Sequence, residues 1–104
     1  MALRVEWSPE AVEDIESIAS YIERDSEWYA KAVVSRFIEL AEAAAQFPDA
    51  GRAVPEPGDT AIRERFAYSY RLIYRVEPDR ILIVAVIHGS RMLDPHATRI
   101  KGTR

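Results

Sequence analysis

The sequence predicts an α+β domain in the order strand, helix, helix, strand, strand, strand, with a helix hairpin packed on one face of a mainly antiparallel sheet. Three observations carry this. Two apolar stripes with a 3.6-residue period follow one another between Ala11 and Phe47. Two segments of alternating residues lie beyond them, from Ile62 to Phe66 and from Tyr70 to Val76. The run Ile81 to Ile87 is apolar throughout and rich in β-branched residues, which suits a central strand buried on both faces.

Taken in order, Leu3, Val5 and Trp7 alternate with Arg4 and Glu6 as in a half-buried strand. Ser8 and Pro9 then start a helix: the serine caps free N–H groups, and proline at the first helical position gives up no hydrogen bond. Its stripe is Ala11, Ile15, Ile18, Ala19 and Ile22, and it should end near Arg24. Asp25 or Ser26 caps the second helix, whose stripe is Val33, Phe37, Leu40, Ala44 and Phe47, with Ala41 alongside, up to the stop at Pro48. Gly51, Pro55, Pro57 and Gly58 mark a loop, and Pro78-Asp79 turns the last hairpin.

The chain has 104 residues, 48% hydrophobic and 30% charged, the size and balance of one globular domain spanning 1–104. It contains no cysteine, which excludes disulfides, thiolate metal sites and a cysteine nucleophile. The longest apolar run is too short to cross a bilayer, and the charged opening segment does not resemble a signal peptide, so a cytoplasmic chain without membrane contact is expected. The net charge of −3 hides an asymmetry: Met1 to Ala50 holds eleven acidic and four basic residues, Gly51 to Arg104 six acidic and ten basic. The basic half suits phosphates or an acidic protein partner.

Strand register decides which side chains share a face. With Glu77 opposite Arg80, Tyr74 opposes Ile83 and Leu72 opposes Ala85 on the helix side. Arg71 then opposes Val86, Ile73 opposes Val84 and Arg75 opposes Leu82 on the other, where His88 also emerges. A bulge would flip this parity. If Ile62 and Phe66 point to the core, Arg63 and Arg65 join the same outer face. The expected surface is concave and arginine-rich: Arg63, Arg65, Arg71, Arg75, His88 and Arg91. Arginine forks suit phosphate or carboxylate. The same pattern also describes an ordinary solvated sheet face, with arginine stems covering apolar neighbours. Glu56 reads by default as a solvated loop residue and His88 as structural. Trp28 and Tyr29 either brace the helix hairpin or form an exposed patch for a partner. No Gly-rich phosphate loop or metal-ligand spacing occurs, so neither a cofactor nor a metal is expected.

Five segments, in this order, resemble the RelE/ParE superfamily of type II toxin–antitoxin toxins: Val5 to Ala11, Asp14 to Ile22, Phe47 to Arg52 with Val54-Pro55-Glu56, Ile62 to Glu64, and Tyr70 to Val76 with Val86 to Arg91. The resemblance implies a cytoplasmic toxin held in a hetero-oligomer by a cognate antitoxin, ParD-like or RelB-like. Operator DNA would be reached only through that antitoxin.

Two targets are open within the superfamily, and with them the question of whether the chain is an enzyme. RelE-like members cut messenger RNA on the ribosome; ParE-like members inhibit DNA gyrase. For a nuclease, the resemblance puts the phosphate clamp at Arg71, the acid at His88 and the base at Glu56. Against this stand a sequence pI of about 5.4 and the His88-Gly89-Ser90-Arg91 ending, which is closer to the ParE, or plasmid-stabilisation, branch. The favoured expectation is therefore a gyrase inhibitor. A weakly toxic or inactive antitoxin-binding co-repressor is the third reading.

Overall fold

A computed structural model describes residues 3–54 and 61–91. Strand β1 (Arg4–Trp7) leads into helices α1 (Pro9–Glu23) and α2 (Glu27–Gln46). A 3₁₀ turn (Pro48–Ala50) and the short strand β2 (Arg52–Ala53) follow, then β3 (Ile62–Ala67), β4 (Tyr70–Val76) and β5 (Arg80–His88). The sheet order is β1-β5-β4-β3-β2, antiparallel except that β1 runs parallel to β5. The α+β reading and its element order are therefore right, with β2 and the 3₁₀ turn added.

Both helix starts obey the capping chemistry. Ser8 Oγ accepts the Ala11 N–H at 3.1 Å, and Ser26, rather than Asp25, accepts the Tyr29 N–H at 3.1 Å. The α2 stripe is buried from Val33 to Ala45, but Phe47 is not: it lies past the helix end with φ −133°, ψ 73°, and its ring is 63% exposed. In α1 only Ala11 is fully buried, and Ile15, Ile18 and Ile22 pack half-buried at the edge of the core. The α1 helix leans on α2 and β5, so only part of its stripe reaches the sheet.

The helix side of the sheet presents Leu72, Tyr74, Ile81, Ile83 and Val86 to Phe37, Leu40 and the α2 alanines. The far side is not a polar face. Val54, Ile62, Ile73, Leu82, Val84, Ala85 and Ile87 form a second apolar cluster there. This explains why β5 is apolar at every position from Ile81 to Ile87: it serves two cores.

Two expected registers fail. On β3, Arg63 pairs with Tyr74 and Arg65 with Leu72, so both arginines lie on the helix side, while Ile62 joins the second cluster. The alternation was read correctly but assigned to the wrong side, because one core was assumed where there are two. On β5 the pairs Tyr74–Ile83 and Arg75–Leu82 hold, but a bulge follows. Ile73 then opposes Ala85, Leu72 opposes Val86, Arg71 opposes Ile87 and Tyr70 opposes His88. Val84 and Ala85 consequently both face the second cluster, and His88 passes to the helix side.

A helix carboxylate satisfies the edge that β1 leaves open. β1 covers β5 only as far as Ile83, and past that point Asp14 Oδ2 accepts the Val86 N–H at 2.9 Å. Without it a part-buried donor on an interior strand would lose this bond.

Candidate functional site

The expected single arginine surface is not assembled. Arg71 and Arg75 stay on the far side of the sheet; Arg63, Arg65 and His88 are on the helix side. Glu56 lies outside the described residues. Most of the arginines are engaged by the fold itself. Arg63 donates to the carbonyl of Gly51 at 2.8 Å and to that of Asp49 at 3.4 Å, clasping the 3₁₀ turn. Arg75 Nε lies 3.7 Å from Glu77 Oε2. Arg65 is half-buried, and among the described residues no carboxylate pairs with it.

Arg71 is the most committed of them. Its Nε donates to Glu64 Oε1 at 2.6 Å, and its Nη1 donates to the Arg91 carbonyl at 2.9 Å. Glu64 and Arg71 are 1% and 4% exposed, so a phosphate approaching Arg71 would have to displace a buried carboxylate. Arg52 Nε binds the other oxygen of Glu64 at 2.5 Å, and its guanidinium lies 5.5 Å from the Phe66 ring centroid. Glu64 is the residue that sequence reasoning missed. A carboxylate placed between Ile62 and Phe66 on one strand face was the available signal.

His88 is exposed at the end of β5. Its Nδ1 accepts the Ser90 N–H at 3.2 Å and lies 2.8 Å from Ser90 Oγ, while its ring meets Tyr70 edge-on at 5.9 Å. Tyr70 in turn meets Phe37 edge-on at 5.8 Å. His88 therefore ends an aromatic row on the helix side, and Arg71 stands on the other.

The segment from Phe47 to Arg52 is also accounted for by packing. The Tyr74 hydroxyl donates to the Pro48 carbonyl at 3.1 Å, and burial raises its pKa above the usual 10.0. A Cβ at Gly51 would lie 2.2 Å from that hydroxyl and 2.9 Å from the Glu64 carbonyl, so only glycine fits. Among the described residues no group of three His, Asp or Glu side chains is placed to hold a metal ion, and no helix is long and apolar enough to cross a membrane. Among the described residues, shallow grooves lie on the helix layer. One, of about 590 Å³, runs along α1 past Glu16, Ser20 and Tyr21; another, of about 370 Å³, lies between Ala19, Ala30 and Val34.

This architecture is that of the small toxins of bacterial toxin–antitoxin pairs. The chain is similar to a solved structure of the chromosomal ParDE system of P. aeruginosa, with TM-score 0.68 and 18% identity over 84% of this chain and 96% of that one. It is also similar to the toxin–antitoxin complex RelBE2 of Mycobacterium tuberculosis (TM-score 0.59, 21% identity, 85% and 99% covered). A third similar structure is the YoeB dimer of Staphylococcus aureus (0.62, 21%, 85% and 98%). No curated protein sequence matches the chain significantly. The family model for the ParE toxin of the type II toxin–antitoxin system, parDE, matches residues 5–93, and the chain belongs to that family.

Proposed function

We propose that this toxin acts by binding its target rather than by cutting RNA, that the target is DNA gyrase, and that a cognate antitoxin neutralises it. The observation that supports this most is the separation of Arg71 from His88. A ribonuclease of this fold needs a cationic clamp and a proton donor converging on one phosphate. Here Arg71 is buried against Glu64 on one side of the sheet and His88 is exposed on the other. The His88 to Arg91 ending and the ParE family match agree with this reading. The apolar floor of the groove at Ala19, Ala30 and Val34 suits an antitoxin segment.

The test is supercoiling by purified gyrase beside cleavage of messenger RNA on programmed ribosomes. Inhibited supercoiling with intact message is expected, with His88→Ala as inhibitory as the wild-type chain. Ribosome-dependent cleavage that disappears in His88→Ala would overturn the proposal in favour of a messenger-RNA endonuclease. Inhibition of neither process, with no effect on growth, would leave the co-repressor reading.

A further inference from the structure

The β3–β4 turn is built at a conformational cost. Tyr68 has φ 56°, in the left-handed region that favours glycine, and no other described non-glycine residue has a positive φ. The strain does not hide the side chain. The Tyr68 ring is 56% exposed and packs edge-on at 5.8 Å against Tyr29, which is itself 40% exposed. Trp28, beside Tyr29 at the start of α2, is 78% exposed. Phe66, two residues before the turn, is 50% exposed beneath the Arg52 guanidinium. Tyr68 and Tyr29 on the helix side of this turn, with Phe66 and Arg52 on the far side, give this end of the sheet the residue types of a protein-binding hot spot.

The charge at this end is distinctive. Across β3, the turn and the start of β4 (residues 64–71), residues 88–91 and Arg52, four arginines stand against one carboxylate, Glu64. The helices between Pro9 and Gln46 carry the reverse balance, nine acidic residues and three basic. The exposed Arg91 backbone is held to this end by Arg71. A target that presents acidic side chains around an apolar recess is therefore attracted to the turn and repelled by the helix layer. A nucleic-acid strand fits less well, because binding to a phosphate backbone draws on many free cations and two of the four arginines here are already bound to Glu64.

We infer that the Tyr68 turn, with Tyr29, Phe66 and the cations Arg52 and Arg91, is the surface on which the toxin docks an acidic protein target. This rests on the binding mode proposed above. Tyr68→Gly separates function from fold, since it removes the ring and suits the backbone; Tyr68→Asn, which also tolerates this conformation, is the second variant. Both should keep the wild-type melting temperature within a few degrees and still co-purify with the antitoxin. Both should inhibit growth and gyrase supercoiling at least ~30-fold less well, the scale of a lost hot-spot residue. Arg91→Glu should weaken inhibition in the same assays, and added salt should weaken the wild-type chain.

Undiminished growth inhibition by both Tyr68 variants overturns the surface. Loss of antitoxin binding with toxicity intact reassigns it to the antitoxin and also overturns the inference. If the wild-type chain stops growth without inhibiting gyrase, the gyrase reading fails and the growth comparison still decides the surface. Tight, salt-sensitive binding of single-stranded RNA that the Tyr68 variants lose would show the occupant to be nucleic acid instead.

Discussion

The two ends of the sheet are held by different physics. At the end closed by the Glu77–Arg80 turn the charges are exposed or half-exposed, and they pair with one another. Arg80 reaches Glu77 at 2.5 Å and also Glu6, and Arg4 reaches Glu6 at 2.8 Å. At the Tyr68 end the carboxylate is buried, two arginines share it, and positive charge is left over. Water screens the first arrangement and makes each pair cheap to lose, while the second is a committed part of the core. The lesson is that counting arginines on a strand says little until burial tells which of them are structural.

Substitution sharpens this contrast most strongly at Glu64. Glu64→Ala should lower stability by ~3–5 kcal/mol, the usual result of stripping one partner from a buried ion pair, whereas Glu77→Ala should cost no more than ~1 kcal/mol, as for exposed pairs. Urea unfolding of the two variants measures the difference, and similar losses would erase the distinction between the ends. Asp14→Ala comes next. It removes the acceptor for the Val86 N–H and should cost ~1–3 kcal/mol, with faster amide exchange localised at Val86. Unchanged exchange there would show that solvent already serves that donor.

The smallest expected effects appear as pH dependence. The Arg80 and Arg4 hydrogen bonds hold the Glu6 carboxyl below its ordinary 4.5, so its contribution is present above that value and is lost as the pH falls below it. Tyr74 has the opposite sign. Burial raises its folded-state pKa above 10.0, so the unfolded chain releases the phenol proton first and stability declines as the pH rises past 10.0. Tyr74→Phe should start less stable through loss of the bond to Pro48, and should show a shallower decline in alkali. Parallel alkaline melting curves would place the titrating group elsewhere.

The sequence disclosed the elements because caps and periodicity are local properties. Ser8, Ser26 and the stripe from Val33 to Ala44 needed no tertiary information. What it did not disclose depends on the opposite partner. The side chosen by Arg63 and Arg65 follows from a second apolar cluster, whose members Val54, Ile62 and Leu82 are far apart in the chain. The position of His88 follows from the skipped Val84, which no composition rule marks. The Glu64 clamp was legible only in part, as a carboxylate out of place among apolar residues. The strained turn at Tyr68 was not legible, because tyrosine gives no sign of a left-handed backbone.

The bulge on β5 carries a consequence for how such proteins diverge. Strand sidedness has only two values, so whether the extra residue is skipped at the bulge or paired in the ladder decides the side of everything downstream. A version of this chain that kept Val84 and paired it in a straight ladder would turn His88 towards the side of Arg71, with no change in the identity of either residue. Relatives aligned on their conserved-looking letters alone can thus share a histidine and an arginine and still differ in whether the two ever meet. In this fold the skipping of one residue in the ladder is more informative about chemistry than the residues on either side of it.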